Sequence, residues 1–206
     1  MSRCVIIGGA PIHSYETVKS YLLADDTFVF CDSGLSHLDG LCVSPDLIIG
    51  DFDSWEDPHL STETIVLPRE KDDTDTMFAI KEMLHRGYSD FLLLGVTGER
   101  LDHTLGNLSG LLYLDTQGVN AVAVDDYSEI SVVGSNGALV EDHFSFFSLL
   151  CIGNTASGIT IKNAKYPLQN AAMTNCDPYG ISNEVLPGQT ASITVKNGRL
   201  LLIKVR

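Results

Sequence analysis

The hydrophobic period of this chain changes near residue 127, and that change limits the possible folds more than any other feature. Before it, short β-rich runs at residues 4–9, 27–32, 47–51, 64–67, 91–95 and 121–125 alternate with stretches of helical spacing. Several runs are almost continuously apolar, as expected where helices cover both faces of a sheet, so a largely parallel sheet is predicted. Residues 76–85 carry Met77, Ile80 and Leu84 at helical spacing and stop at Gly87, and Leu105, Leu108, Leu111 and Leu112 repeat likewise before Gly118. Both read as covering helices. Beyond residue 127 the helical spacing is gone, and runs at 130–133, 144–151, 159–162, 191–196 and 199–205 read as strands. Asn197-Gly198, between the last two, predicts a type I′ hairpin. The expected architecture is α/β. A mostly parallel N-terminal sheet domain with flanking helices (1–127) is followed by a small all-β, sandwich- or barrel-like domain (128–206).

A chain of 206 residues can bury a sizeable core. No apolar run approaches the roughly 18–20 residues that span a bilayer. The start of the chain reads as a first strand and not as a signal peptide, and the expected location is cytoplasmic. Five cysteines (Cys4, Cys31, Cys42, Cys151, Cys176) are scattered without a C-x-x-C pair, so they are expected to be reduced and mostly buried. Residues 1–127 hold 22 acids against 7 bases, a net of −15, and residues 128–206 hold 5 against 6, a net of +1. So acidic a surface argues against binding nucleic acid or anionic membrane, which need clustered Lys and Arg. A polyphosphate ligand would need cations to mediate.

The chemistry-bearing residues fall in three acidic motifs. In Pro45-Asp46-Leu47-Ile48-Ile49-Gly50-Asp51-Phe52-Asp53-Ser54 an apolar strand runs into two carboxylates. Ligands of open α/β sheets bind beyond the carboxyl ends of strands, and Asp51 and Asp53 there would suit Mg²⁺. Taken alone, the pair is more readily explained as an Asp-rich turn or helix cap. Lys71-Asp72-Asp73-Thr74-Asp75 stands at a helix entry, with Asp72 and Asp75 three apart and able to face the same way. Helix-dipole complementation accounts for one or two of these acids and poorly for Lys71 among them. Gly95-Val96-Thr97-Gly98-Glu99-Arg100-Leu101-Asp102-His103, followed by Asn107, leaves a buried strand through two glycines. Such a backbone can approach a phosphate closely, and Arg100 offers a planar fork for its oxygens. Gly8-Gly9 and Asp32-Ser33-Gly34, after the first two strands, are further candidate phosphate or ribose loops.

Taken in order, these residues resemble the thiamine pyrophosphokinase family. The likeness rests on Asp32-Ser33-Gly34, Pro45-Asp46 with Gly50-Asp51-Phe52-Asp53-Ser54, Lys71-Asp72 with Thr74-Asp75, and Gly98 with Arg100, Asp102, His103 and Asn107. It continues in Tyr166-Pro167-Leu168 and Gly180-Ile181-Ser182-Asn183. The resemblance implies transfer of an intact pyrophosphoryl group from ATP to the hydroxyethyl oxygen of thiamine, giving thiamine diphosphate and AMP. It implies an N-terminal domain that binds ATP and Mg²⁺, and a homodimer whose thiamine site is shared with the β domain of the partner subunit. By position, Asp51, Asp53, Asp72, Asp75 and Asp102 become metal and catalytic carboxylates, with Arg100 among the catalytic groups. Gly8, Gly9, Asp32, Ser33, Gly34, Lys71, Thr97, Gly98, Arg100, His103 and Asn107 become nucleotide contacts. Tyr166, which would stack on the thiamine ring, Ser182 and Asn183 become thiamine contacts. Glu99 and Ser33 stand where many family members have glycine. Two alternatives stay open: a pyrophosphokinase acting on another small alcohol such as a hydroxymethyl pterin, and a non-catalytic nucleotide or metal sensor.

Overall fold

The apolar runs of the first 126 residues form strands buried on both faces. The computed structural model describes residues 2–51, 61–68, 70 and 72–206. The chain divides into two units, Met1–Asp126 and Tyr127–Arg206. In the first, β1 (Cys4–Ile7), β2 (Thr27–Cys31), β3 (Leu47–Gly50), β4 (Glu63–Val66), β5 (Asp90–Leu94) and β6 (Asn120–Val124) lie in the order β4-β3-β2-β1-β5-β6. Each of these five pairings is parallel.

Side chains alternate across this sheet. Val5, Ile7, Phe30, Ile48, Leu92 and Leu94 share a core with Ile12, Val18, Leu35 and Leu41. The last three come from α1 (Tyr15–Lys19), the 3₁₀ turn Asp32–His37 and α2 (Leu38–Leu41). The alternate residues Cys4, Ile6, Val29 and Cys31 are buried too. Helix α3 (Asp75–His85) lies against β1, β2 and β3, and α4 (Leu101–Thr116) lies against α3 and β6. Helices thus cover both faces, which is why the strands read as continuous apolar runs. The strand order moves outward from β1 through β4, then restarts on the other side with β5, so the order reverses between β1 and β5. Loops leaving the carboxyl ends of these two strands diverge there and open a crevice.

Thr74 caps α3, its Oγ1 accepting from the Met77 N–H at 3.2 Å. The buried stripe of α3 is Thr76, Ala79, Ile80 and Met83; of the expected Met77, Ile80 and Leu84, only Ile80 is fully buried and the other two are half-buried. In α4 the buried residues are Gly110, Leu111 and Leu114. Leu105 is 56% exposed, because this helix makes its core contacts through its second half.

The second unit contains β7 (Ser128–Val133), β8 (Ala138–Glu141), β9 (Phe146–Cys151), β10 (Thr155–Lys162), β11 (Leu168–Thr174), β12 (Thr190–Thr194) and β13 (Leu200–Val205). Strands β7-β13-β9 are antiparallel neighbours, as are β11-β10-β12-β8. Val133, Phe147, Leu149, Leu200 and Leu202 of the first group meet Val140, Ile159, Ile161, Met173 and Ile193 of the second in one core, a β-sandwich.

The hairpin expected at Asn197-Gly198 is not formed. β12 pairs with β8 and β10, whereas β13 pairs with β7 and β9, so this dipeptide carries the chain from one sheet to the other. Asn197 is held by Ser157, whose N–H donates to the Asn197 carbonyl at 2.9 Å. Gly198 has φ +84°, and a Cβ there would lie 2.5 Å from the Thr155 carbonyl oxygen. The glycine serves a close crossing between sheets. Gly198→Ala is expected to cost about 2 kcal/mol in urea unfolding, from left-handed strain and overpacking together.

The cysteines also differ from expectation. All five are free, but only Cys4 and Cys31 are buried; Cys151 is half-buried, and Cys42 and Cys176 are exposed.

Candidate active site

The crevice at the β1/β5 reversal is a cavity of about 770 Å³, within the usual size range of small-molecule sites. Its walls come from the segments that follow β1, β2, β3 and β5 and from the first turns of α3 and α4. Gly8, Gly9, Asp32, Ser33, Asp51, Asp75, Gly98, Arg100, Asp102, His103 and Asn107 all line it, so eleven residues singled out from separate motifs meet in one place.

Two backbone turns form one wall. The Gly8 N–H donates to the Leu94 carbonyl at 2.9 Å and the Ala10 N–H to the Gly95 carbonyl at 2.8 Å. A Cβ on Gly8 would sit 2.6 Å from the Gly95 oxygen, and one on Gly9 would sit 1.9 Å from Ser33 Oγ. Ser33 thus occupies space that Gly9 leaves free. Gly34 lies beneath this wall rather than on it: a Cβ there would be 2.3 Å from the Ile7 oxygen.

Asp32, Asp51 and Asp75 reach the cavity from the ends of β2 and β3 and the start of α3. Asp32 is buried, with its backbone at φ +39°. Gly50 lies close beside it, since a Cβ there would be 3.1 Å from Asp32 Cα. Burial, then the charge of Asp75, then those of Cys4 and Asp32, push the Cys31 thiol well above its usual range, so it stays protonated next to these carboxylates. Hard oxygen donors from three elements at one cavity suit a divalent cation such as Mg²⁺. Among the described residues no three His, Cys, Asp or Glu side chains cluster closely enough to hold an ion unaided. Mg²⁺ commonly takes one or two carboxylates together with water and substrate phosphate. Asp72 is exposed and is not part of the cavity wall. Asp53 and Lys71 lie outside the described residues.

At the entry to α4, Arg100 closes its fork on Asp102, with Nη2 to Oδ2 at 2.6 Å and Nε to Oδ1 at 3.2 Å. The hydrogen bonds from this guanidinium hold the Asp102 carboxyl down at about 2, so it is ionised at any ordinary pH. Both side chains are about two-thirds exposed, so the fork is free to exchange this carboxylate for an incoming anion. Thr104 clamps the turn before the helix, its Oγ1 accepting from the Gly98 N–H at 3.1 Å. Asn107 donates Nδ2 to the Val96 carbonyl at 2.8 Å, which fixes the strand end. Thr97 turns away from the cavity and donates to Asp125 Oδ2 at 2.9 Å. Thr104 was not singled out from the sequence; a hydroxyl six residues after Gly98, one turn into a helix, was the available signal.

In the second unit, Tyr166 is 58% exposed. Asn183 is only 5% exposed. Its Oδ1 accepts from the N–H groups of Tyr166 at 3.0 Å and Glu184 at 2.9 Å, and its Nδ2 donates to the Tyr166 carbonyl at 2.9 Å. Ser182 has φ +58°, held by its N–H donating to Ser148 Oγ at 3.0 Å. Tyr166 and Asn183 are therefore joined, although seventeen residues separate them.

The family model described as thiamin pyrophosphokinase, catalytic domain, matches residues 18–123. The model described as thiamin pyrophosphokinase, vitamin B1 binding domain, matches residues 139–200. The chain belongs to the thiamin pyrophosphokinase family. The first match holds Asp32, Asp51, Asp75, Arg100 and Asp102 and begins after the Gly8-Gly9 turn; the second holds Tyr166, Ser182 and Asn183. The thiamine pyrophosphokinase of Bacillus subtilis is 24% identical over 99% of both chains. Its fold is shared: a crystal structure from that organism gives a TM-score of 0.88 at 22% identity over 99% of each chain. A family protein from Enterococcus faecalis gives 0.81 at 28% identity, covering 100% of this chain and 99% of that one.

Proposed function

We propose that this chain transfers the pyrophosphoryl group of ATP to the hydroxyethyl oxygen of thiamine, giving thiamine diphosphate and AMP. The observation that carries this reading is the convergence of the family's acidic and glycine motifs on one cavity at the β1/β5 reversal, together with membership of the family. The Gly8–Gly9 and Gly95–Gly98 turns present backbone to the polyphosphate. Arg100 exchanges Asp102 for phosphate oxygens, and Lys71 is assigned to the same anion on its motif. Asp51 and Asp75 would hold Mg²⁺, with Asp32 facing the nucleotide beside them, and the ion would offset phosphate charge that so acidic a unit cannot offset with its own bases. The thiamine oxygen forms a bond to the β-phosphorus, the bond from that phosphorus to the α-phosphate bridging oxygen breaks, and AMP leaves with the electron pair. The hydroxyl proton passes to an aspartate of the cavity. Catalysis then depends on in-line positioning and charge stabilisation, with no covalent enzyme intermediate.

Tyr166 and Ser182 are the proposed thiamine contacts, with Asn183 holding Tyr166 in place. The enzyme is proposed to act as a cytoplasmic homodimer in which thiamine lies between the α/β unit of one subunit and the β unit of its partner. No helix among the described residues is long and apolar enough to cross a membrane.

The reading is tested by measuring AMP formation from ATP with thiamine, with a hydroxymethyl pterin and with neither. AMP formed only with thiamine is expected. AMP formed only with the pterin would transfer the assignment to that substrate, and ATP binding without AMP would make the chain a sensor. Arg100→Lys keeps the charge but loses the bidentate fork, so turnover is expected to fall about tenfold. Unchanged turnover and ATP affinity would make Arg100 a surface charge.

A further inference from the structure

His37 is buried to 5% exposure at the end of the 3₁₀ turn that begins with Asp32, and the chemistry above makes no use of it. Its ring is held at both nitrogens: Nε2 lies 3.0 Å from the Ala10 carbonyl oxygen and Nδ1 lies 2.8 Å from Tyr15 Oη. A carbonyl oxygen only accepts, so Nε2 carries the proton, and the Tyr15 hydroxyl donates to the lone pair on Nδ1. Burial lowers the pKa of His37, opposed by the bond to Ala10, in keeping with a neutral ring. Tyr15 is seated by Gly40, where a Cβ would lie 2.3 Å from the phenol carbon Cζ.

The acceptor is what separates His37 from an ordinary satisfied core histidine. Ala10 lines the cavity, between the Gly8-Gly9 turn and Pro11. Its N–H is already given to Gly95 and its carbonyl is taken by His37, so the peptide units on both sides of it are held. Further along, the Asp126 carboxylate accepts the His13 and Ser14 N–H groups at 3.0 and 2.7 Å. His37 ties this strap to the turn that carries Asp32 and Ser33, so it joins two cavity walls that sequence separates by more than twenty residues.

We propose that His37, supported by Tyr15, is a positioning residue of the nucleotide site that holds the Gly8–Pro11 turn against the Asp32–Ser33 turn. This rests on the reading that the cavity binds ATP. Loss of the imidazole frees the Ala10 carbonyl and lets the two walls drift, so nucleotide affinity falls while the thiamine residues of the β unit are untouched.

The test compares His37→Ala, His37→Gln and Tyr15→Phe in the full-length protein. It reads KM for ATP and for thiamine separately, ATP binding without turnover by calorimetry, and thermal melting. His37→Ala is expected to raise KM for ATP about tenfold, the effect of one buried hydrogen bond, with KM for thiamine unchanged. His37→Gln, whose side-chain amide can donate to Ala10, should recover most of this, and Tyr15→Phe should weaken ATP two- to threefold. A lower melting temperature with unchanged ATP affinity, or equal changes for both substrates, would overturn the proposal. If His37→Ala does not fold, the other two variants decide, and Tyr15→Phe binding ATP like the wild type overturns it. Calorimetry keeps the two claims apart: a wild-type protein that binds ATP but makes no AMP with thiamine contradicts the function and leaves the affinity comparison valid.

Discussion

Asp51→Asn and Asp75→Asn are each expected to lower kcat by about 100- to 1,000-fold while the protein stays folded. Both side chains line the cavity, one at the end of β3 and one at the start of α3, so they face the proposed polyphosphate from two sides. Asparagine keeps the shape and removes the charge. The loss therefore falls on neutralisation of the transition state and on Mg²⁺ affinity, with little change in the sheet. Rapid-quench measurement of AMP at saturating Mg²⁺, beside circular dichroism and thermal melting, checks the expectation. Wild-type-like turnover in either variant would remove that residue from the catalytic set.

Asn183→Ala is expected to cost about 3 kcal/mol of stability and to abolish thiamine use at ordinary concentrations. The side-chain amide makes three hydrogen bonds at 5% exposure, and its loss strands both the N–H and the carbonyl of Tyr166. Tyr166 then no longer presents its ring in one orientation, so thiamine affinity should fall while ATP affinity, set in the other unit, is retained. Asn183→Asp keeps the acceptor for Tyr166 and should be milder. The same variant addresses the shared site: mixing Asp51→Asn and Asn183→Ala subunits should rebuild one complete site per heterodimer and recover up to about half the wild-type activity per heterodimer. Heterodimers verified by mass spectrometry that remain inactive would contradict a thiamine site shared between subunits.

The parallel sheet was legible because β1 and β3 are buried on both faces and leave unbroken apolar runs such as Val5-Ile6-Ile7 and Leu47-Ile48-Ile49. β11 was not: it presents Leu168, Gln169, Asn170, Ala171 and Ala172 at a sheet edge and fully buries only Met173, which leaves no clear alternation. Of the Asn-Gly pair at residues 197–198 only Gly198 takes the positive φ that a type I′ turn needs at both positions, and tertiary pairing decided where the chain went next. For the cavity, the motifs named eleven of its lining residues and the strand order brought them together, while Asp72, Thr97 and Gly34 stay off its wall. A sequence cannot display that β1 and β5 flank the reversal. Asn183 shows the complementary limit, since its resemblance pointed to a ligand contact and its amide turned out to be occupied by Tyr166. His37 carried no motif at all, because its significance lies in a contact with the backbone of Ala10.

Transfer of an intact pyrophosphoryl group is the central claim, and the fate of labelled phosphates tests it most directly. The enzyme is given thiamine and Mg²⁺ with ATP labelled in turn at the α-, β- and γ-phosphate, and the products are separated. The β and γ labels are expected together in thiamine diphosphate, with the α label wholly in AMP and the two products formed in equal amounts. A γ label in thiamine monophosphate with the β label left in ADP would show attack at the terminal phosphorus and contradict the account.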